Sequence, residues 1–141
     1  LFRSDQNCAY CMEGELVAKF GIKICELETS KVYLFKEQSH LGRCIVAHKK
    51  HVGDMNELTA EERAAYFEDV ARVARAIMKA FNPDKVNYGA YGDTGHHLHF
   101  HLCPKYKDEY EWGGGFLMNP DKKYLTDAEY AEMIEKIKAN L

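Results

Sequence analysis

The stretch His96-His97-Leu98-His99-Phe100-His101-Leu102-Cys103-Pro104 decides how this chain is read. Successive side chains of a strand point to opposite faces, so His97, His99 and His101 share one face and Leu98, Phe100 and Leu102 the other. The apolar set can face a helix and a core, leaving three imidazoles in a row roughly 6–7 Å apart. Cys103 falls on the histidine face, and Pro104 is expected to end the strand. Three neutral imidazoles suit two kinds of chemistry: they can bind a transition metal, or supply a nucleophile and proton donors to a phosphoryl group. The bland alternative is a run of solvated histidines or a tag remnant, but a tag would lie at a terminus without interleaved Leu and Phe.

Working outward, residues 17–25 alternate loosely, with Phe20, Ile22 and Ile24 on one face, and predict a strand. Residues 31–36 predict a second, Gly42 to Ala47 a third, and a fourth is expected near 85–91, before the histidine strand. Thr59 and Glu62 have capping-box spacing, and Phe67, Val70, Ala74, Ile77 and Phe81 then recur at helical intervals until Asn82-Pro83 stops them. After the Gly113-Gly114-Gly115 loop, Thr126 and Glu129 cap a last helix with Tyr130, Met133, Ile134 and Ile137 on one face. Strands dominate the middle and helices stand apart, which predicts an α+β fold. It has an antiparallel sheet of about five strands, one long helix and a C-terminal helix.

A length of 141 residues suits a single domain spanning 1–141, with a core over about 8–106 and a loop and helix over 107–141. The net charge of −3 gives no broad basic field, so no long nucleic acid is expected as a partner and any phosphate must be held locally. No apolar run approaches the roughly 20 residues of a membrane span, and no signal peptide is visible. The first residue is Leu1 rather than Met, which suggests that residues before it are missing or removed. Five cysteines, an odd count, fit a secreted disulfide framework poorly and point to the cytoplasm.

Cys8-Ala9-Tyr10-Cys11 is a C-x-x-C knuckle. A closed zinc site needs two more ligands, and with no second C-x-x-C they would be histidines. The alternatives are a pair of reduced buried cysteines or a redox dithiol, the latter without the βαβ setting such motifs have.

His97-Leu98-His99-Phe100-His101-Leu102-Cys103 resembles the signature of the histidine-triad (HIT) family, His-φ-His-φ-His-φ-φ with φ apolar. Asn87-Tyr88-Gly89 and Pro104-Lys105-Tyr106 look like its bacterial members, and the likeness covers roughly residues 8–106. The resemblance implies that His99 attacks the α-phosphorus of a dinucleoside polyphosphate or nucleotide conjugate and forms a nucleotidyl-histidine. Water or another acceptor then releases the nucleotide, while His101 donates hydrogen bonds to the phosphate oxygens and the departing group. Zinc-bearing relatives pair such a knuckle with two histidines, which implies a structural zinc on Cys8, Cys11, His51 and His97, with His48 as the alternative third ligand. The family commonly forms homodimers.

The chain departs from the family in two places. Arg43 stands where a fourth supporting histidine often lies; it can hold a phosphate or stack on a base, or be an ordinary solvent-facing arginine. The Gly-Gln-Ser or Gly-Gln-Thr loop before the triad is replaced by Tyr91-Gly92-Asp93-Thr94-Gly95-His96, in which Thr94 and the glycine amides can touch phosphate and Asp93 can orient a histidine. Glu37 or Gln38 sits where ribose hydroxyls can be held, or in a polar turn. Lys105, Lys107 and Trp112 offer one wall of a leaving-group pocket, or a charged loop with an anchoring tryptophan. Two other functions stand beside the enzyme: a nucleotide-binding regulatory module with little turnover, and a zinc-dependent metallohydrolase using all three histidines. The last leaves Cys8 and Cys11 unexplained.

Overall fold

A computed structural model describes residues 7–141, so the first six residues of the expected domain lie outside it. In chain order the elements are α1 (Ala9–Met12), α2 (Glu15–Ala18), β1 (Gly21–Glu26), β2 (Ser30–Phe35), β3 (Cys44–His48), a 3-10 turn (Met55–Glu57), α3 (Ala60–Phe81), β4 (Lys85–Gly89), β5 (His99–Lys105) and α4 (Asp127–Ala139). The five strands form one sheet in the order β1-β2-β3-β5-β4, every neighbouring pair antiparallel. The fold is α+β, as the separation of strands from helices along the chain predicts.

Both long helices begin where their caps require. Thr59 Oγ1 accepts from Glu62 N while the Glu62 carboxylate accepts from Thr59 N, and Thr126 and Glu129 repeat the exchange at α4. Asn82 closes α3 in the left-handed conformation, and Pro83 follows. The buried stripe of α3 is Tyr66, Val70, Val73, Ala74 and Ile77, packed with Leu98 and Leu102 of the histidine strand and with Tyr130, Met133 and Ile137 of α4. The helical face is turned slightly from the expected one: Tyr66 is fully buried and Phe67 is exposed, its ring resting on Phe100. Tyr66 Oη donates to the Val46 carbonyl at 2.7 Å, and Asp69 accepts from Thr29 N, Thr29 Oγ1 and Ser30 Oγ. Asp69→Ala is expected to lower stability by about 2–3 kcal/mol, read as the shift in urea midpoint, because it strands three donors at the β1–β2 turn.

Four expectations are corrected. Residues 17 and 18, expected in the first strand, end the short helix α2, which follows Gly14 at positive φ, and β1 starts at Gly21; Phe20 packs with Tyr10 and Val17, apart from Ile24. Gly42 is a turn residue at φ +94°, where a Cβ would meet the Phe81 ring at 2.6 Å, so β3 starts at Cys44. β4 stops at Gly89. β5 runs from His99 through Pro104 to Lys105, later than expected. Pairing with β3 ends at Leu102, so beyond it one side of β5 is an edge, where a residue lacking an amide hydrogen is tolerated.

Candidate functional site

The sheet face away from α3 carries Tyr33, Phe35, Ile45 and Ala47, covered by Tyr10 of α1 and Val17 of α2. His97, His99 and His101 emerge on this face, as period-2 alternation requires, and line a cavity of about 880 Å³. Glu37, Asp93 and Thr94 line it as well.

Each triad ring makes a different hydrogen bond, and the partner fixes its tautomer. His97 Nε2 faces the His48 backbone carbonyl, which only accepts, so Nε2 carries the proton and Nδ1 keeps its lone pair. His99 Nδ1 donates to the His97 carbonyl at 2.7 Å, so its Nε2 is the unprotonated nitrogen. His101 Nδ1 stands 3.0 Å from Arg43 Nη2. A guanidinium only donates, so His101 Nδ1 accepts and Nε2 carries the proton.

Burial keeps all three rings neutral. It lowers His97 to about 4, with the neighbouring histidines adding to the shift. It lowers His99 too, against the bond to the His97 carbonyl. His101 falls to about 2, through burial first and then the Arg43 and His99 charges. Tyr10 lies beside His97 and His99, ring centroids 5.3 and 5.1 Å away. Burial holds Cys103 up at about 12, which makes it a poor nucleophile despite its place on this face.

Cys8, Cys11, His51 and His97 converge beside the triad, their ligand atoms all within 4.8 Å of one another. Cys8 Sγ is 3.3 Å from His97 Nδ1, Cys11 Sγ is 3.3 Å from His51 Nδ1 and 3.5 Å from His97 Nδ1, and the two Nδ1 atoms are 3.1 Å apart. A tetrahedral ion with bonds of about 2.3 Å to sulfur and about 2.0 Å to nitrogen sets its ligands roughly 3.3–3.8 Å apart. The donor set fits. The lone pair of His97 Nδ1 points the same way, its other nitrogen being tied to a backbone carbonyl in the manner of metal-ligating histidines. His48 does not join: its ring packs on Tyr66, and its Nδ1 accepts from Lys50 N.

Arg43 is fully buried, not solvent-facing, and does not line the cavity. Its guanidinium lies over Phe35 at 4.1 Å and Phe116 at 4.9 Å and donates to the carbonyls of Leu117 and Met118 as well as to His101. Gln38 builds the turn that presents it, accepting from Gly42 N and donating to the Phe35 carbonyl. Glu37 accepts from Ser39 N and Oγ, Lys122 N and Lys123 N. Burial opposes its ionisation, but these bonds outweigh that and hold its pKa below the usual range. Glu37→Ala is expected to speed amide hydrogen exchange at Lys122 and Lys123 by ten- to a hundredfold, since hydrogen bonds to a carboxylate contribute about 1.5–3 kcal/mol.

The segment beyond the triad differs from expectation. Lys105 is buried and donates to the carbonyls of Glu111, Gly114 and Gly115, Lys107 is exposed, and Trp112 lies at a separate small cavity. The wall is formed instead by Phe116, Met118 and Asn119, on a loop clasped by His40 Nε2 and Glu111 Oε1 at 2.7 Å. Nothing local in the sequence marks this return of the loop. Tyr10 is unmarked by the sequence reading, and the one signal for it is its place as the aromatic between the two cysteines of the knuckle.

The HIT domain family matches residues 23–108. The chain is 28% identical to the adenosine 5'-monophosphoramidase of Schizosaccharomyces pombe, over 94% of this chain and 99% of that protein. It is 30% identical to the protein hit of Bacillus subtilis, over 72% of each. Among solved structures, a histidine triad protein from Sinorhizobium meliloti superposes with a TM-score of 0.83 at 22% identity, covering 91% of this chain and 95% of that one. A Zn-bound histidine triad family protein from Mycobacterium smegmatis has a TM-score of 0.66 at 22% identity, covering 94% and 91%. These two show the shared fold.

Proposed function

The chain belongs to the HIT domain family, and on that premise we propose that it hydrolyses or transfers a nucleotidyl group at the α-phosphorus, with His99 as nucleophile. The observation that carries this reading is the His99 Nδ1 bond to the His97 carbonyl, which leaves an unprotonated Nε2 on a ring lining the cavity. The Nε2 lone pair forms a bond to phosphorus while the bond to the leaving group breaks with its electron pair. Attack by water or another acceptor then returns the pair to Nε2. Splitting one displacement into two lowers each barrier, and the His101 Nε2–H offsets charge on the phosphoryl oxygens. Asp93, Thr94 and Glu37 are read as the nucleotide side of the cavity, and Arg43 as acting on the nucleotide through His101.

Cys8, Cys11, His51 and His97 would hold zinc, which fastens the N-terminal knuckle to the sheet when bound. The three-histidine metallohydrolase is disfavoured, because Arg43 occupies the one lone pair of His101. The five free cysteines support a reducing, cytoplasmic setting, and the exposed Tyr88 on edge strand β4 supports a homodimer. No helix among the described residues is long and apolar enough to cross a membrane.

Hydrolysis of dinucleoside tetraphosphates, phosphoramidates and nucleoside diphosphate sugars in ¹⁸O-water tests the reading. Label is expected in the nucleoside monophosphate. Label only in the other product, or nucleotide binding with no turnover across the panel, would overturn it, the latter in favour of the regulatory module.

A further inference from the structure

Among the described residues Arg43 is the charged group hydrogen-bonded to a triad ring, and it is fully buried, sandwiched between two aromatic rings and locked to two carbonyls. Its contact with His101 has a chemical consequence. An imidazolium carries protons on both nitrogens and offers no acceptor, so a guanidinium cannot sit 3.0 Å from Nδ1 of a protonated His101 without two donors opposing each other. Among the described residues the other ionisable group facing His101 is His99 on the same strand, with ring centroids 5.3 Å apart. Phe35 of β2 and Phe116 of the loop pack on it as apolar rings. His101 therefore keeps one proton, on Nε2. Releasing that proton would create an imidazolate, so the ring donates a hydrogen bond and does not transfer a proton.

We propose that Arg43 is a positioning residue that holds His101 as a neutral Nε2–H donor, and so directs the enzyme to substrates whose leaving group departs as a phosphate oxyanion rather than an amine. The proposal rests on His99 being the nucleophile. In the first step the His99 Nε2 lone pair forms the N–P bond. The bond from the α-phosphorus to the bridging oxygen breaks, and its electron pair stays on that oxygen. A terminal phosphate has its second pKa at about 6 and leaves as an anion near neutral pH with no proton supplied. An amine must take a proton as its P–N bond breaks, and His101 cannot give one. In the second step water forms the new P–O bond, the N–P pair returns to Nε2, and the proton of water passes to bulk solvent.

Two measurements on the unaltered protein test this. Ring ¹⁵N NMR of His101 between pH 5.5 and 8 is expected to show one neutral Nε2–H tautomer throughout; titration near 6.5 would overturn the proposal. Steady-state kinetics on a dinucleoside tetraphosphate and on a nucleoside 5'-phosphoramidate of an aliphatic amine, for adenosine and guanosine alike, should give kcat/KM at least about 100-fold higher for the tetraphosphate. Equal values would overturn it. Arg43→Met is expected to let His101 titrate and to narrow that ratio at least tenfold, chiefly below pH 7, whereas a merely structural arginine would lower both rates together. Turnover of neither substrate would refute the nucleophile reading itself, while the His101 tautomer would still decide the positioning role.

Discussion

His99→Ala is expected to reduce kcat by at least about 10³-fold with KM changed by less than about threefold. The nucleophile contributes to bond formation and little to nucleotide binding, and removing one member of a catalytic set typically removes most of its effect. Melting temperature measured alongside separates chemistry from folding. The ring is tied to the His97 carbonyl and lies beside Tyr10, so a modest loss of stability is expected, far too small to explain the rate. A variant retaining a tenth or more of the activity would assign the attack to another group.

Cys11→Ser is expected to abolish bound zinc, which should fall from one ion per chain to none by elemental analysis. The same change should lower the melting temperature by about 10 °C, from a loss of roughly 3 kcal/mol. Cys11 is the residue whose sulfur reaches both histidines of the cluster, at 3.3 Å from His51 Nδ1 and 3.5 Å from His97 Nδ1. The sheet and α3 have their own core and are expected to persist, as judged by far-UV circular dichroism. Activity should fall as well, because the backbone carbonyl of His97 orients the His99 ring. Unchanged metal content in Cys11→Ser would reject the cluster as the metal site.

Much of this was legible in the sequence, and the particular residues show why. Leu98, Phe100 and Leu102 alternate with the histidines because one sheet face meets α3, and period 2 then turns the triad to the other face. The capping boxes at Thr59 and Thr126 are local chemistry and appear in the structure as the spacing implies. The ligand cluster was reached only through the family resemblance, since 86 residues (97 − 11) separate Cys11 from His97 and no local pattern joins them.

Three features were out of reach because they depend on distant chain segments. Arg43 cannot be told from a surface strand arginine until Phe116, Leu117 and Met118 fold over it. Glu37 reads as a turn residue until Lys122 and Lys123 arrive to donate to it. Pro104 breaks most strands, and here it survives because pairing with β3 stops two residues earlier, at Leu102 opposite Cys44, the first residue of β3. Each is a tertiary contact that overrides a sound local expectation.

The proposed reaction turns on a covalent bond from His99 Nε2 to the α-phosphorus. Rapid acid-free quenching during turnover of a dinucleoside tetraphosphate, followed by intact-mass and peptide mass spectrometry, measures it directly. A single nucleoside monophosphate adduct is expected on the peptide carrying His99, and it should vanish in His99→Ala. An adduct on another residue, or steady turnover with no adduct under conditions that preserve a phosphoramidate, would contradict it.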